Sequence, residues 1–234
     1  MQIRLQALEH QQRALTALTR VFDGVEFDTN TPLEANVGFD PADPQIRENI
    51  LAIQSGVADG IAAIPKPWRG RVDDGVLGID AKMETGTGKT LVYTQLMYEL
   101  NRLYGFTKFI VLVPSTPIKE GAKAFIQSDY ARRYFDDAYG QQMDLRLDVL
   151  DAQKRSKGRK MMPKSIVNFA QSSRLAPGRI SALLMTDKML LSQRTMATDY
   201  DQTVMGTASV PYEALRATRP IVIIDEAHRF RRDN

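Results

Sequence analysis

Met83-Glu84-Thr85-Gly86-Thr87-Gly88-Lys89-Thr90 stands between an apolar run, Gly75-Val76-Leu77-Gly78-Ile79-Asp80, and a stretch of helical apolar spacing that begins at Leu91. Strand, loop and helix are therefore predicted in that order. Glycines leave backbone N–H groups free to curl around a polyphosphate, and the helix N-terminus adds partial positive charge. Lys89 can then reach the β and γ phosphates, and the Thr90 hydroxyl can ligate Mg²⁺. Thr85, Gly86, Thr87, Gly88, Lys89 and Thr90 are the candidate residues for binding a nucleoside triphosphate. The general pattern G-x-x-x-x-G-K-[ST] has a glycine where this chain has Met83, so the reading rests on the intact GTGKT and its flanks. The competing reading is an ordinary loop that runs into a helix cap.

A second stretch turns binding into hydrolysis. Pro220-Ile221-Val222-Ile223-Ile224 is a continuous apolar run, predicted as a buried parallel strand, and it ends in Asp225-Glu226-Ala227-His228. Carboxylates at the carboxyl end of a central strand face the crevice where open α/β sheets bind ligands. Asp225 is placed to hold Mg²⁺ through its water shell, and Glu226 to orient or deprotonate an attacking water. Taken alone, the same residues describe a strand that ends in solvated charges.

Together these stretches resemble the DEAH-type superfamily 2 helicases and translocases. Within that group, Lys82–Thr90, Val113-Pro114-Ser115-Thr116-Pro117-Ile118-Lys119-Glu120-Gly121 and Thr218–Glu226 are most similar to the motor part of the type III restriction enzyme Res subunit. Ala227 departs from the D-E-P-H that many Res subunits carry. The resemblance implies an α/β, RecA-like P-loop NTPase domain, with a mostly parallel sheet flanked by helices and an N-terminal helical extension. It implies ATP and Mg²⁺ as cofactors, double-stranded DNA as the track, and a modification (methyltransferase) subunit as partner. By the same resemblance His228 links the nucleotide state to the DNA. Ser115 and Thr116 stand at the phosphate-contacting place of motif Ia, and Thr186 at that of motif Ib. A hydroxyl that caps the following helix is the alternative at Ser115 and Thr116.

The chain of 234 residues is 43% hydrophobic, enough for a full core, and its formal charge of +3 permits an anionic partner without demanding one. It has no cysteine and two histidines, which excludes disulfides and zinc sites of the usual kind. No run approaches ~20 apolar residues and the N-terminus lacks a signal-peptide core, so a cytoplasmic protein without membrane contact is expected.

Leu5, Leu8, Leu15, Leu18 and Val21 predict an amphipathic helix that stops at Asp23-Gly24. Within it, His10-Gln11-Gln12-Arg13-Ala14 is similar to the aromatic-Gln-x-x-Ala by which such motors read adenine. Gln11 is the candidate, because an amide can pair with adenine N6 and N7. A solvated glutamine-rich face is the alternative. Residues 27–43 read as a loop, and Asp43-Pro44 opens a helix carried by Ile46, Ile50, Ile53, Val57 and Ile61 and ended by Pro65 and Pro67. Trp68 either stacks on a base or packs over a loop.

Val92, Leu96, Leu100 and Leu103 line one face of the helix after the phosphate loop, with Gly105 as its cap. Lys108–Pro114 is a buried strand, Tyr130–Tyr139 a short helix, Asp144–Leu150 a half-exposed strand near a sheet edge, and Arg179–Thr186 a buried strand. Lys154, Arg155, Lys157, Arg159, Lys160 and Lys164 form the densest basic run, suited to backbone phosphates or to a solvated loop. Residues 192–209 read as a loop, and Tyr212–Ala217 as one or two helical turns.

The expected organisation is an extension over residues 1–70 and a first motor domain over residues 71–234, with motifs I, Ia, Ib and II. A motor of this class needs a second RecA-like domain with an arginine finger, and type III Res subunits add a nuclease domain. The chain is therefore expected to be an N-terminal fragment, weak in hydrolysis by itself, of an ATP-dependent DNA translocase. A DNA or RNA helicase outside restriction, or a nucleotide-binding interaction module without catalysis, are the alternatives.

Overall fold

Leu15, Leu18 and Val21 recur at helical spacing, and helix α1 (Glu9–Arg20) forms over the first two and ends at Val21, its C-cap. The computed structural model describes residues 8–56, 63, 71–73, 75–140, 143–152, 160–175 and 178–230. It divides into two units, Met1–Asn30 with Val37–Tyr104, and Thr31–Asn36 with Gly105–Asn234. Leu5, at the start of the expected first helix, lies outside the described residues.

In the first unit, Asp43 accepts from Gln45 N at 2.8 Å and Pro44 fills the first helical position of α2 (Pro44–Ser55). The helix stops at Gly56, whose φ of 67° is the left-handed cap that glycine takes without a Cβ penalty. It therefore ends before the expected Ile61. Val57, Ile61, Pro65, Pro67 and Trp68 lie outside the described residues.

The strand expected ahead of the phosphate loop forms, in a small sheet of its own. Gly75, at φ 74°, reverses the chain, so β2 (Val76–Gly78) pairs antiparallel with β1 (Arg71–Asp73), Val72 opposite Leu77, in a sheet of two strands. Val76 is exposed. Helix α3 (Lys89–Tyr104) follows the loop and buries Val92, Leu96 and Leu100, while Leu103, expected on the same face, is exposed.

Helices α1 and α3 run side by side in the same direction. At one end Gln11 meets the loop before α3. At the other, the Tyr104 hydroxyl reaches Thr19 O at 2.9 Å and Asp23 Oδ1 at 2.7 Å. Burial, then the bond to Asp23, raises the Tyr104 pKa well above the ordinary phenol value. Around it Phe22, Phe27 and Phe39 pack mostly edge-on or tilted, the geometry that ring quadrupoles favour. Asn49 ties α2 to the end of α1 by bonds to Val21 O at 3.0 Å and Asp23 O at 2.7 Å.

The second unit is built on four parallel strands. In chain order its elements are β3 (Lys108–Val113), α4 (Thr116–Ile126), α5 (Asp129–Tyr139), β4 (Asp144–Val149), α6 (Lys164–Gln171), β5 (Arg179–Thr186), α7 (Asp187–Leu190), α8 (Gln193–Met196), α9 (Pro211–Ala217) and β6 (Ile221–Ile224). The sheet order is β4-β5-β3-β6, every pair parallel. This is the expected α/β class, with α4 and α6 packed on the sheet. The central strands β3 and β5 are buried almost throughout, as strands covered on both faces are. Strand β4 lies at the expected edge, and its Asp144, Arg146 and Asp148 guard that edge with charge.

Strand β6 corrects the reading of a run buried on both faces. It pairs with β3 alone among the described strands, and its side chains alternate, leaving Val222 and Ile224 about half exposed at 47% and 49%. Helix α6 was not anticipated, although Ile166, Phe169 and Ala170 stand at i, i+3 and i+4 and are fully buried. They join Ile110, Leu112, Leu183 and Met185 in the core. Of the basic run, Lys154, Arg155, Lys157 and Arg159 lie outside the described residues, Lys160 is exposed, and Lys164 opens α6. Short α7 and α8 and a bridge between Val204 and Ala208 interrupt the stretch after β5.

One core residue is a lysine. Lys108 is fully buried, and its Nζ donates to Phe169 O at 2.5 Å, Ser172 O at 2.6 Å and Ser172 Oγ at 2.5 Å, above the Phe169 ring. Burial lowers its pKa to about 8, against the opposing pull of Glu34 and Asp148. Among the described residues no helix is long and apolar enough to cross a membrane.

Candidate functional site: a phosphate loop and an acidic strand end

In the first unit, Gly86 and Gly88 both take left-handed φ values, 81° and 82°, immediately before α3 begins at Lys89. Such a turn aims successive N–H groups to one side and forms an anion-binding concavity. The N-terminus of α3, at Lys89 and Thr90, adds the partial positive charge of the helix dipole to the same concavity. Nothing lies within 4 Å of the place a Gly86 Cβ would occupy, so the loop is open there. The Thr87 hydroxyl closes the loop on itself by donating to Glu84 O at 2.6 Å. These residues fit a polyphosphate: backbone donors, a lysine and a helix N-terminus converge on one turn, and Thr90 adds a hydroxyl for a hard cation.

The structure brings Gln11 to this loop. Its Nε2 donates to Thr87 O at 2.9 Å and its Oε1 accepts from Leu8 N at 2.9 Å, and the residue is buried. His10 Nε2 lies 3.2 Å from the same Thr87 carbonyl. A Cβ on Gly88 would strike the Gln11 amide, so glycine at 88 serves the close approach as well as the turn. Gln11 is thus no part of a solvated helix face. The sequence pattern pointed to Gln11 but not to this grip on the loop, since the partners stand 76 positions apart and only packing of α1 on α3 unites them.

In the second unit, Asp225 emerges from the carboxyl end of β6 with its N–H donating to Leu112 O at 2.9 Å, and it is buried. Glu226 follows with φ 54°, a left-handed conformation unusual for a residue with a Cβ. It opens a 3-10 turn over Ala227–Arg229. Its side chain is 14% exposed, and its Oε2 lies 3.5 Å from Nε2 of the exposed His228. Asp225, Glu226 and His228 are therefore gathered at one strand end.

Ser115 and Thr186 share that rim, since Val113 pairs with Thr186 and Ser115 lies two residues beyond β3. The rim is the side on which open parallel sheets bind ligands. Ser115 stands at the N-cap of α4 but makes no side-chain cap bond, and Thr116 is exposed. The Thr186 hydroxyl is used differently. It accepts from Met189 N at 3.3 Å as the cap of α7, in a residue that is 7% exposed. Behind Ser115, buried Lys119 pairs with Asp151 and lies 3.5 Å from Glu120 Oε1, which holds α4 at the rim.

Comparison with known proteins bears on all of these residues. The family model described as "Type III restriction enzyme, res subunit" matches residues 4–234. The StyLTI Res subunit of Salmonella typhimurium is 41% identical over 236 aligned residues, which cover 100% of this chain and 21% of that protein. The EcoP15I Res subunit of Escherichia coli is 37% identical over 65% of this chain and 16% of its own length. The EcoPI Res subunit of Escherichia phage P1 is 31% identical over 95% of this chain and 23% of its own length. The chain spans about a fifth of the length of these relatives. The proline-to-alanine departure at Ala227 does not remove it from the group. With its GTGKT loop, its parallel α/β sheet and its acidic strand end, the chain belongs to the RecA-like helicase family of type III restriction enzyme Res subunits.

Proposed function

We propose that this chain is the first RecA-like domain of an ATP-dependent DNA translocase in a type III restriction enzyme, acting beside a modification (methyltransferase) subunit on double-stranded DNA. Residues 71–234 would form the motor domain and residues 1–70 its extension. The observation that carries the reading is the pair of left-handed glycines, Gly86 and Gly88, set directly before Lys89 and Thr90 at the start of α3 in a member of the Res family.

Thr85, Gly86, Thr87 and Gly88 hold the triphosphate by their backbone, Lys89 neutralises its outer phosphates, and Gln11 faces the adenine edge while bracing the loop. Thr90, and Asp225 through a water, would hold Mg²⁺, which would supply positive charge against the charge that develops on the phosphates. Glu226 accepts the proton of the attacking water. His228, next to Glu226, carries the state of that carboxylate toward the DNA side. Ser115, Thr116 and Thr186 are the contacts to backbone phosphates, which position DNA without reading its sequence.

Family membership favours this reading over a helicase outside restriction, and the complete GTGKT argues against a module that has lost catalysis. The test is DNA-stimulated ATP hydrolysis by the full-length protein. Lys89→Ala is expected to abolish it, and unchanged hydrolysis in that variant overturns the reading.

A further inference from the structure

Strand β6 has four residues, pairs on one side with β3 among the described strands, and carries Asp225 and Glu226 directly at its end. A strand so short and one-sided is weakly held by its own ladder. A shift of register by one residue would turn every side chain to the other face. Something must fix where β6 enters the sheet.

Asn36 occupies that entry. Its Nδ2 donates to Lys108 O and to Arg219 O, each at 2.9 Å, and its Oδ1 accepts from Thr107 N and Lys108 N, each at 2.8 Å. Its backbone N–H donates to Thr218 O at 2.9 Å, and its carbonyl accepts from Thr31 Oγ1 at 2.9 Å. Both amide hydrogens and both oxygen lone pairs are thus used in a residue that is 1% exposed. Lys108 is the first residue of β3, and Arg219 lies two residues before β6, in a left-handed conformation with φ 48°. The first ladder pair, Phe109 with Ile221, follows immediately. Asn36 acts there as one more rung, made by a side chain, and holds the strained Arg219 in place.

We propose that Asn36 is a positioning residue for the acidic strand end: by pinning the entry of β6 to that of β3, it sets the depth at which Asp225 and Glu226 emerge at the rim. It touches neither nucleotide nor metal. Only residues 220–224 separate Arg219 from Asp225. A carboxylate that holds the metal's water works only over a narrow range of distance, so a small displacement of Asp225 would weaken metal binding more than nucleotide binding. The inference rests on the reading of Asp225 as a Mg²⁺ ligand given above.

The experiment uses the full-length protein and ATP hydrolysis with Mg²⁺ varied. Asn36→Asp keeps the acceptor for Thr107 and Lys108 and removes the donors to Lys108 and Arg219. It is expected to raise the Mg²⁺ concentration for half-maximal hydrolysis by roughly tenfold, while nucleotide binding without Mg²⁺ keeps its affinity. A purely structural role would lower the maximal rate through the folded fraction and leave that Mg²⁺ midpoint where it was, and this result overturns the proposal. Asn36→Ser, with one short hydroxyl, supplies the same readout if Asn36→Asp does not fold, and failure of both to fold also overturns it. Asp225→Asn separates the two ideas. If it hydrolyses ATP normally, the reading of the site is wrong; if it is inactive and the Asn36 variants keep the wild-type midpoint, only the positioning role fails.

Discussion

Gln11 donates from Nε2 to the carbonyl of Thr87 at 2.9 Å, so helix α1 holds the phosphate loop 76 residues later. The amide also closes on the backbone of Leu8, which keeps it in one rotamer. A residue that resembles an adenine reader is therefore also a brace for the loop that would carry phosphates.

Gln11→Ala in the full-length protein removes one buried hydrogen bond to the loop, about 1 kcal/mol. The KM for ATP should rise by roughly five- to tenfold, measured by steady-state hydrolysis. An unchanged KM would mean that the contact does not order the loop for nucleotide.

Gly86→Ala and Gly88→Ala separate strain from contact. Both glycines hold left-handed φ values, which for alanine costs roughly 1–2 kcal/mol. Only at Gly88 would the added methyl also push the Gln11 amide off Thr87. In double-mutant cycles read by ATP affinity, Gln11→Ala should have little further effect in the Gly88→Ala background and its full effect in the Gly86→Ala background.

Ser115 and Thr186 have unequal duties and should fail differently. Ser115→Ala breaks no cap bond and should leave the melting temperature unchanged while weakening DNA binding, with a shallower dependence on salt. Thr186→Val removes the cap of α7 and should lower stability by about 1 kcal/mol. Thermal unfolding together with a DNA titration distinguishes the two.

Lys108 titrates in a window where few other groups do. Its folded pKa of about 8 lies below the ordinary lysine value, so the unfolded chain holds that proton more tightly. Its contribution to stability is least favourable below pH 8 and improves as pH rises from there toward the unfolded lysine pKa. Lys108→Met leaves the carbonyls of Phe169 and Ser172 without this donor and should destabilise by about 1–3 kcal/mol. The gap between wild type and variant should widen with pH across that window, as measured by urea unfolding.

What could be read from the chain alone was what depends on near neighbours. The GTGKT run, the strand Lys108–Val113 and the helix from Asp129 to Tyr139 declare themselves by composition and period, because a glycine turn, a strand buried on both faces and an amphipathic helix each impose a local pattern. Helix α6 is legible too, in Ile166, Phe169 and Ala170, although eight residues give that spacing little room to repeat. The early stop of α2 lay in Gly56, a cap easily passed over when Val57 and Ile61 continue the apolar spacing.

The remainder was a matter of tertiary structure. That Val222 and Ile224 are half exposed follows from the place of β6 at the end of the sheet order, which no run of isoleucines announces. That Gln11 grips Thr87, and that Asn36 joins Lys108 to Arg219, follows from chain segments far apart in sequence meeting in space. The sequence by itself determined which residues are the candidates for holding a triphosphate and activating water, because that chemistry needs particular side chains at short spacing. Only the fold decided what braces them, because a hydrogen bond between distant segments leaves no mark on the order of residues around either partner.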